Sequence, residues 1–187
     1  MPGRLVYGFN VSLDGYISDR DGGIDWGTPD AELHRFHNDL ARDTVTEVYG
    51  RRLFELMAAF WPTADTDPDA PPEVVDFARI WRDTPRVVFS RTLTEVEHGR
   101  LARDDLGTEL ARLKSELDGD ISIGGADLAA QAIRLGLVDE YRTFVHPVML
   151  GGGTRYLPEL PEPIRLRLER THTFATTGVT YLCHRVD

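Results

Sequence analysis

The sequence predicts an α/β domain, with a mixed, mainly parallel sheet of about eight strands, helices on both faces and a C-terminal antiparallel hairpin. Two observations predict this class. Strand and helix patterns alternate along most of the chain, which is typical of parallel sheets covered by helices. The last segment carries strand patterns alone. The length of 187 residues fits one domain spanning 1–187.

The first half of the chain opens with a strand at 4–11, rich in Val, Tyr and Phe. The segment 12–28 is rich in glycine and aspartate and is predicted to be a long loop, a kind of loop that usually carries function. Pro29 and the apolar spacing that follows predict a helix at 30–40. Next come a strand at 45–49, a helix at 50–60, an exposed connection at 62–72 and a helix at 73–81.

The second half continues the alternation and then changes to strands. Apolar residues at helical spacing predict a helix at 106–117. Ile164, Leu166 and Leu168 alternate with charged residues, which predicts a strand with one buried face. The remaining predicted elements are strands at 86–89, 121–123, 140–148 and 179–186 and a helix at 127–135.

Composition excludes several classes of protein. The formal net charge is −10, which disfavours nucleic acid and anionic lipid as partners. No apolar run reaches the ~18 residues of a membrane helix, and the alternating N-terminus lacks the apolar core of a signal peptide. One cysteine, Cys183, cannot form an internal disulfide. We therefore expect a cytoplasmic protein that binds a small molecule.

Gly124 and Gly125 follow a predicted strand and open a predicted helix whose first turn holds Ala126, Asp127 and Leu128. Two glycines let a ligand approach the backbone closely, and a helix N-terminus attracts phosphate through its free N–H groups. A tight turn without a ligand explains the pattern equally well. Both interpretations stay open from this motif alone.

Gly50 begins a helix in the same way, with Arg51 and Arg52 in the first turn. Cations at a helix N-terminus oppose its dipole and cost up to ~1 kcal/mol each. Either an anionic ligand offsets this cost, or the arginines turn towards solvent or nearby acids. Ser90 and Arg91 end a third strand with further anion-binding groups. Open α/β sheets bind ligands at these carboxyl ends, so three such ends predict one site.

The order of these motifs resembles the dihydrofolate reductase superfamily, in particular the C-terminal reductase domain of the bifunctional riboflavin-biosynthesis deaminase-reductase. The resemblance covers nearly the whole chain and rests on segments 12–17, 49–51, 88–91, 123–126, 138–141 and 147–153. It implies a three-layer dihydrofolate-reductase-like fold and an NADPH-dependent reductase. The implied substrate is a small heterocycle or sugar-linked heterocycle, as for 5-amino-6-(5-phosphoribosylamino)uracil reductase.

The resemblance also implies roles for individual residues. The cofactor phosphates would be bound by Gly50, Arg51, Arg52, Ser90 and Arg91. The pyrophosphate and nicotinamide ribose would lie on Gly124, Gly125, Ala126, Asp127 and Leu128. A loop carrying Asp14, Gly15 and Ile17 would close over the nicotinamide. Anion sites separate from the pyrophosphate site favour NADPH over NADH.

The catalytic assignment is less direct. Asp14 is the expected polar group nearest the reacting centre. Asp30 and Glu32 are alternates, because they lie near the first-helix carboxylate of a true dihydrofolate reductase without aligning with it. Trp26 and Tyr49 are the candidates for the acceptor pocket. A pterin or xenobiotic reductase, or a non-catalytic nucleotide-binding protein on the same scaffold, remains an alternative.

Two further expectations concern metals and assembly. His34 and His37 are spaced by three without a surrounding zinc motif, so we expect a solvated helix face and no metal site. The strand at 140–148 carries bulky residues on both faces, and relatives pair through this region. We therefore expect a two-fold homodimer that uses this strand. The alternative is that the C-terminal hairpin covers it within one chain.

Overall fold

The computed structural model describes residues 2–187. Its helices are α1 (Ala31–Arg42), α2 (Arg51–Phe60), α3 (Pro72–Asp83), α4 (Leu106–Glu116) and α5 (Ala126–Arg134). Its strands are β1 (Arg4–Ser12), β2 (Tyr16–Ser18), β3 (Thr44–Gly50), β4 (Arg86–Phe89), β5 (Arg100–Leu101), β6 (Asp120–Gly124), β7 (Glu140–His146), β8 (Thr154–Arg155), β9 (Leu166–Thr173) and β10 (Thr180–Val186).

The main sheet has eight strands in the order β5-β4-β3-β6-β1-β7-β10-β9. The six strands from β5 to β7 are parallel; β10 runs antiparallel to β7, and the edge strand β9 runs antiparallel to β10. A separate two-stranded ribbon pairs β2 with β8. The predicted mixed, mainly parallel sheet and its C-terminal hairpin are confirmed.

Helices α4 and α5 cover one face of the sheet. Leu110 of α4 and Ala132 of α5 join the core that holds Leu5, Tyr7 and Ile121 of the strands. Side chains alternate between the two faces of a strand, so every second residue of β1 and β6 points into this layer.

Helices α1, α2 and α3 cover the opposite face. Leu33 of α1 packs in a cluster with Phe144 and Tyr181 of β7 and β10. Phe54 of α2 packs against Tyr49 of β3, and α3 lies beside α1. The gap between these helices and the sheet forms the largest part of the site described below.

The carboxyl ends of the central strands meet at one edge of the sheet. Gly50 at the end of β3 pairs with Phe89 of β4, and Tyr49 pairs with Gly124 of β6. The ends that carry Gly50, Ser90 and Gly124 therefore lie side by side, as the sequence predicts. This edge is where open α/β sheets bind their ligands.

Strand β9 differs from its prediction. Every residue from Leu166 to Thr173 is exposed, with Leu166 at 39% and Leu168 at 52% of full exposure. The expectation of one buried face is wrong because β9 is the edge strand of the sheet and both of its faces remain exposed. The predicted loop at 12–28 also contains β2 and a 3₁₀ turn at Asp25–Gly27.

Strand β7 is paired on both edges within the chain. It lies parallel to β1 and antiparallel to β10, in registers that run the length of the strand. β7 therefore has no free edge for a second copy, because its N–H and C=O groups are already used within the chain. The intrachain hairpin is what covers it.

Among residues 2–187, no helix is long and apolar enough to cross a bilayer.

Candidate functional site

Two helices begin without a side-chain cap at the carboxyl edge of the sheet. Gly50 precedes α2 and Gly125 precedes α5, and glycine has no side chain that could accept from the first-turn N–H groups. In contrast, Asp30 caps α1 through the Leu33 N–H, and an aspartate caps α4 in the same way. The first-turn N–H groups of α2 and α5, which no side chain caps, are therefore suited to bind an anion.

The two glycines of the Gly124-Gly125 turn have different roles. Gly125 has φ of +99°, a conformation that favours glycine. A Cβ at Gly125 would lie 3.6 Å from Gly50 and meet nothing nearer. A Cβ at Gly124 would collide with Leu53 and with the Tyr49 ring. Gly124 is thus required for close packing, and Gly125 for the backbone conformation at the ligand edge.

The remaining residues of the expected cofactor set lie around this turn. A Cβ built on Gly50 would lie 3.7 Å from the side chain of buried Leu128. Asp127 is exposed and Ala126 is half-buried. Arg51 and Arg52 are exposed in the first turn of α2, and Arg51 lies 3.9 Å from Glu55. The edge therefore brings the glycines and the first-turn arginines together.

Ser90 and Arg91 complete the edge on the β4 side. The Ser90 hydroxyl oxygen accepts hydrogen bonds from the backbone N–H groups of Thr92 (3.1 Å) and Leu93 (2.9 Å). Arg91 is exposed. Ser90 therefore shapes the turn, and Arg91 is free to reach an anion in solvent.

A cavity of about 350 Å³ continues from this edge between the sheet and the α1–α3 layer. Gly124 lines both the edge and the cavity. The cavity walls include the aromatic rings of Tyr49, Trp61, Phe77 and Phe144. A concave cavity with several aromatic walls suits a flat ring.

Helix α1 presents His34 and His37 to this cavity. The expectation that these imidazoles form a solvated helix face is wrong, because residues 34, 37 and 41 share the helix face that lies against the sheet. Burial, with nearby His34 and His146, lowers the pKa of His37 to about 3. Burial also lowers the pKa of His34. Both rings are therefore neutral at pH 7.

Charged side chains at the cavity floor are paired within the chain. Glu47 accepts from Arg86 Nε at 3.1 Å, and burial raises the pKa of Glu47 despite this partner. Arg142 lies between Asp120 (2.5 Å) and Glu140 (2.6 Å). These charged groups contribute to the electrostatic potential of the cavity, but each already forms an ion pair within the chain.

Asp14 joins two loops at the site. Its carboxylate accepts from the Ser12 hydroxyl (2.7 Å) and from the backbone N–H groups of Leu150 (3.0 Å) and Gly151 (2.7 Å). The Ser12 hydrogen bond is the largest of the causes that lower the pKa of Asp14 to about 2. Asp14 therefore holds no proton near neutral pH, and its geometry is that of a residue that positions the loop.

The loop around Asp14 is further fixed by its neighbours. Gly15 has φ of +89°, and its carbonyl accepts from the Tyr156 N–H at 3.0 Å. Ile17 packs against the main core. The expected nicotinamide loop is thus tied to the 147–157 segment at several points.

The two alternate carboxylates lie at the start of α1. Asp30 is half-buried and accepts from the Leu33 N–H at 2.9 Å, and Glu32 is exposed in the first turn. Neither lines the cavity. Of the residues that the structure describes, no group of three His, Cys, Asp or Glu side chains is placed to hold a metal ion.

The two expected acceptor-pocket residues separate. Tyr49 lines the 350 Å³ cavity. Trp26 instead lines a second cavity of about 340 Å³, where its ring meets His146 edge-on at 5.4 Å between centroids. The 3₁₀ turn that carries Trp26 directs the indole away from the first cavity.

Sequence reasoning missed Asn10, His37, Glu47 and Arg142 as lining residues. One signal was available: the spacing of His34 and His37 places both on one helix face together with Asp30. A polar Asn10 inside an apolar strand was a second signal. The residues that lie opposite Asn10 and the two histidines in the folded chain cannot be predicted from the local sequence pattern.

Comparison with solved structures places the fold. The chain is similar to a diaminohydroxyphosphoribosylaminopyrimidine deaminase/5-amino-6-(5-phosphoribosylamino)uracil reductase from Thermotoga maritima, with TM-score 0.68, 16% identity, and coverage of 100% of this chain and 57% of that chain. It is similar to a dihydrofolate reductase from Enterococcus faecalis complexed with NADP(H) and RAB-propyl, with TM-score 0.65 and 16% identity. That match covers 98% of this chain and 96% of the reductase. The fold is dihydrofolate-reductase-like.

Sequence comparison places the family. The chain is 32% identical over 183 residues to the uncharacterized protein YyaP of Bacillus subtilis (strain 168), which covers 97% of this chain and 94% of that protein. Residues 4–180 match the RibD C-terminal domain family. Since this match spans nearly the whole sequence and agrees with the fold, the chain belongs to the RibD C-terminal domain family.

Proposed function

We propose that this protein is an NADPH-dependent reductase of a small heterocyclic or sugar-linked acceptor, similar to 5-amino-6-(5-phosphoribosylamino)uracil reductase. One observation carries the proposal: the uncapped N-termini of α2 and α5 meet at Gly50 and Gly125, and the neighbouring Gly124 lines a cavity with aromatic walls. A nicotinamide dinucleotide matches this arrangement, because its phosphates suit the helix N-termini and its redox-active ring suits the cavity. Membership of a family with reductase relatives supports the same activity.

The residues present fit this cofactor. The absence of a Cβ at Gly125 and the uncapped N–H groups of α5 suit the pyrophosphate, and Arg51, Arg52 and Arg91 suit a 2′-phosphate. When bound, NADPH supplies the hydride. The chain supplies the binding edge, the aromatic walls that orient a ring, and the Asp14 contacts that hold the covering loop.

The test is NADPH oxidation by the full chain with a panel of acceptors. The panel contains the ribosylaminouracil substrate, dihydrofolate, and a xenobiotic ketone and nitro compound. We expect saturable oxidation with the uracil-type acceptor. Oxidation with dihydrofolate alone would support a pterin reductase instead. NADPH binding without oxidation by any acceptor would support the non-catalytic nucleotide-binding alternative.

We also propose that the protein is a homodimer, with the exposed strand β9 at the interface. Leu166 and Leu168 lie on an edge strand whose backbone groups are unpaired on one side, and such edges are normally covered. Light scattering tests this at micromolar concentration. A mass near the chain mass of 21.0 kDa would refute the dimer. About twice that mass, lost on Leu168→Glu, would support it.

A further inference from the structure

Asn10 presents an unused acceptor to the 350 Å³ cavity. It lies in β1 on the sheet face that meets α1. Its side-chain Nδ2 donates to the carbonyl of Gly27 at 3.1 Å, which fixes the orientation of the amide. Its Oδ1 is then shielded from solvent and accepts from no group that the structure describes. A ligand N–H or O–H in the cavity would satisfy it.

His37 presents a second unused group to the same cavity. Its ring lies 4.0 Å from the ring of Phe144, centroid to centroid. Its Nε2 is shielded from solvent, and within residues 2–187 it has no hydrogen-bond partner. The titratable groups that face it are His34 and His146, and no carboxylate is among them. The ring is neutral at pH 7, so Nε2 can carry a proton and donate it in a hydrogen bond.

Phe144 brings these two groups together. Asn10 and Phe144 are register partners on the neighbouring strands β1 and β7, and both side chains point to the α1 side. His37 of α1 packs against the Phe144 ring. Gly8, two residues before Asn10 on the same face, has no side chain and leaves the floor flat. A ring lying on this floor would meet both polar atoms at its edge.

We propose that Asn10 and His37 form a polar clamp that selects the acceptor. Asn10 Oδ1 accepts from a ring N–H, and His37 Nε2 donates to a ring carbonyl. The ligand is therefore a neutral ring with neighbouring N–H and C=O groups, that is, a lactam or ureide. The assignment of this ring as the hydride acceptor rests on the proposed function, whereas binding to the clamp does not.

The charges of the cavity support a neutral ligand. Glu47 is paired with Arg86, and Arg142 is paired with Asp120 and Glu140. An anionic or cationic ring would have to compete with these buried pairs. The two polar atoms that lack partners both belong to uncharged side chains, so the cavity discriminates by hydrogen bonding.

The experiment compares two probes that differ only at the ring nitrogen, 2-pyridone and 1-methyl-2-pyridone. Dissociation constants are measured by NMR titration of the full-length protein without cofactor. We expect 2-pyridone to bind at least about fivefold more tightly, because only its N–H can satisfy Asn10. Asn10→Ala should remove the difference between the probes. His37→Phe should weaken both probes, and the exposed His172→Gln should change neither.

A second readout does not depend on the variants folding. In protein labelled with ¹⁵N-histidine, 2-pyridone should shift the Nε2 resonance of His37 and not that of His172. Equal affinities for the two probes in the unmodified protein, or an unchanged His37 Nε2 resonance at saturation, would overturn the clamp. Probe discrimination without NADPH oxidation would overturn the reductase proposal and leave the clamp standing.

Discussion

Gly125, where α5 begins, faces Gly50, where α2 begins: a Cβ built on Gly125 would lie 3.6 Å from both the nitrogen and the Cα of Gly50. Two helix N-termini on adjacent strands thus converge at one point of the sheet edge. Their dipoles add at that point, and an anion there interacts with both.

We expect Gly125→Val to abolish NADPH binding. The φ of +99° is unfavourable for valine by roughly 1–3 kcal/mol, and its side chain would enter the space over the helix N-termini. Titration calorimetry measures the loss. The control is Gly136→Val, which places the same residue at φ of +68° at the other end of α5. If a folded Gly125→Val protein bound NADPH normally, the Gly124-Gly125 segment would be a tight turn with no role in binding the cofactor.

We expect Asp14→Asn to loosen the loop around Asp14 and the segment at Leu150 and Gly151 that it contacts. The substitution replaces a carboxylate that receives three hydrogen bonds by an amide with one oxygen. Amide hydrogen exchange at Leu150 and Gly151 should become roughly tenfold faster, because bonds to a charged acceptor contribute most. Asp21→Asn, an exposed change in the same loop region, is the control. Unchanged exchange rates would show that Asp14 does not position this segment.

Lowering the pH should remove the stability that the neutral ring of His37 provides. Its folded-state pKa of about 3 lies below its ordinary value of 6.5, so the unfolded chain binds the proton more tightly. This contribution is complete above about pH 6.5 and is lost as the pH falls towards 3. The slope is at most about 1.4 kcal/mol per pH unit.

Urea unfolding of the unmodified protein and His37→Gln across this range measures the effect. The variant should lose less stability on acidification, since its side chain takes up no proton. The exposed His172→Gln serves as the control. If the unmodified protein and His37→Gln showed parallel pH profiles, His37 would not be held neutral by burial.

The sequence predicts most of the fold because the local signals agree with the tertiary structure. The apolar spacing of α4, the alternation of β1 and the glycines at 50, 124 and 125 each correspond to an observed feature. The arrangement of the strand ends also follows from parallel pairing. These features depend on neighbours in sequence or on rules of connectivity.

The errors concern features that depend on distant residues. The alternation at Leu166 and Leu168 predicts a buried face, but burial requires a covering layer that the chain does not provide at the edge of the sheet. From the sequence, His34 and His37 are predicted to face solvent, because α1 also has an apolar face. In the structure, the helix face that carries the two histidines lies over the cavity. Asn10 joins the site only through the β1–β7 register and the position of Gly27.

The most direct test of the account is a comparison of NADPH and NADH dissociation constants for the unmodified protein by titration calorimetry. The convergence of α2 and α5 with Arg51, Arg52 and Arg91 at one edge requires NADPH to bind more tightly, by roughly 1.5–3 kcal/mol for each 2′-phosphate contact. Removing Arg91 should weaken NADPH and leave NADH nearly unchanged, while the exposed Arg134→Ala should affect neither. Equal dissociation constants for the two cofactors, or no binding of either, would contradict the account.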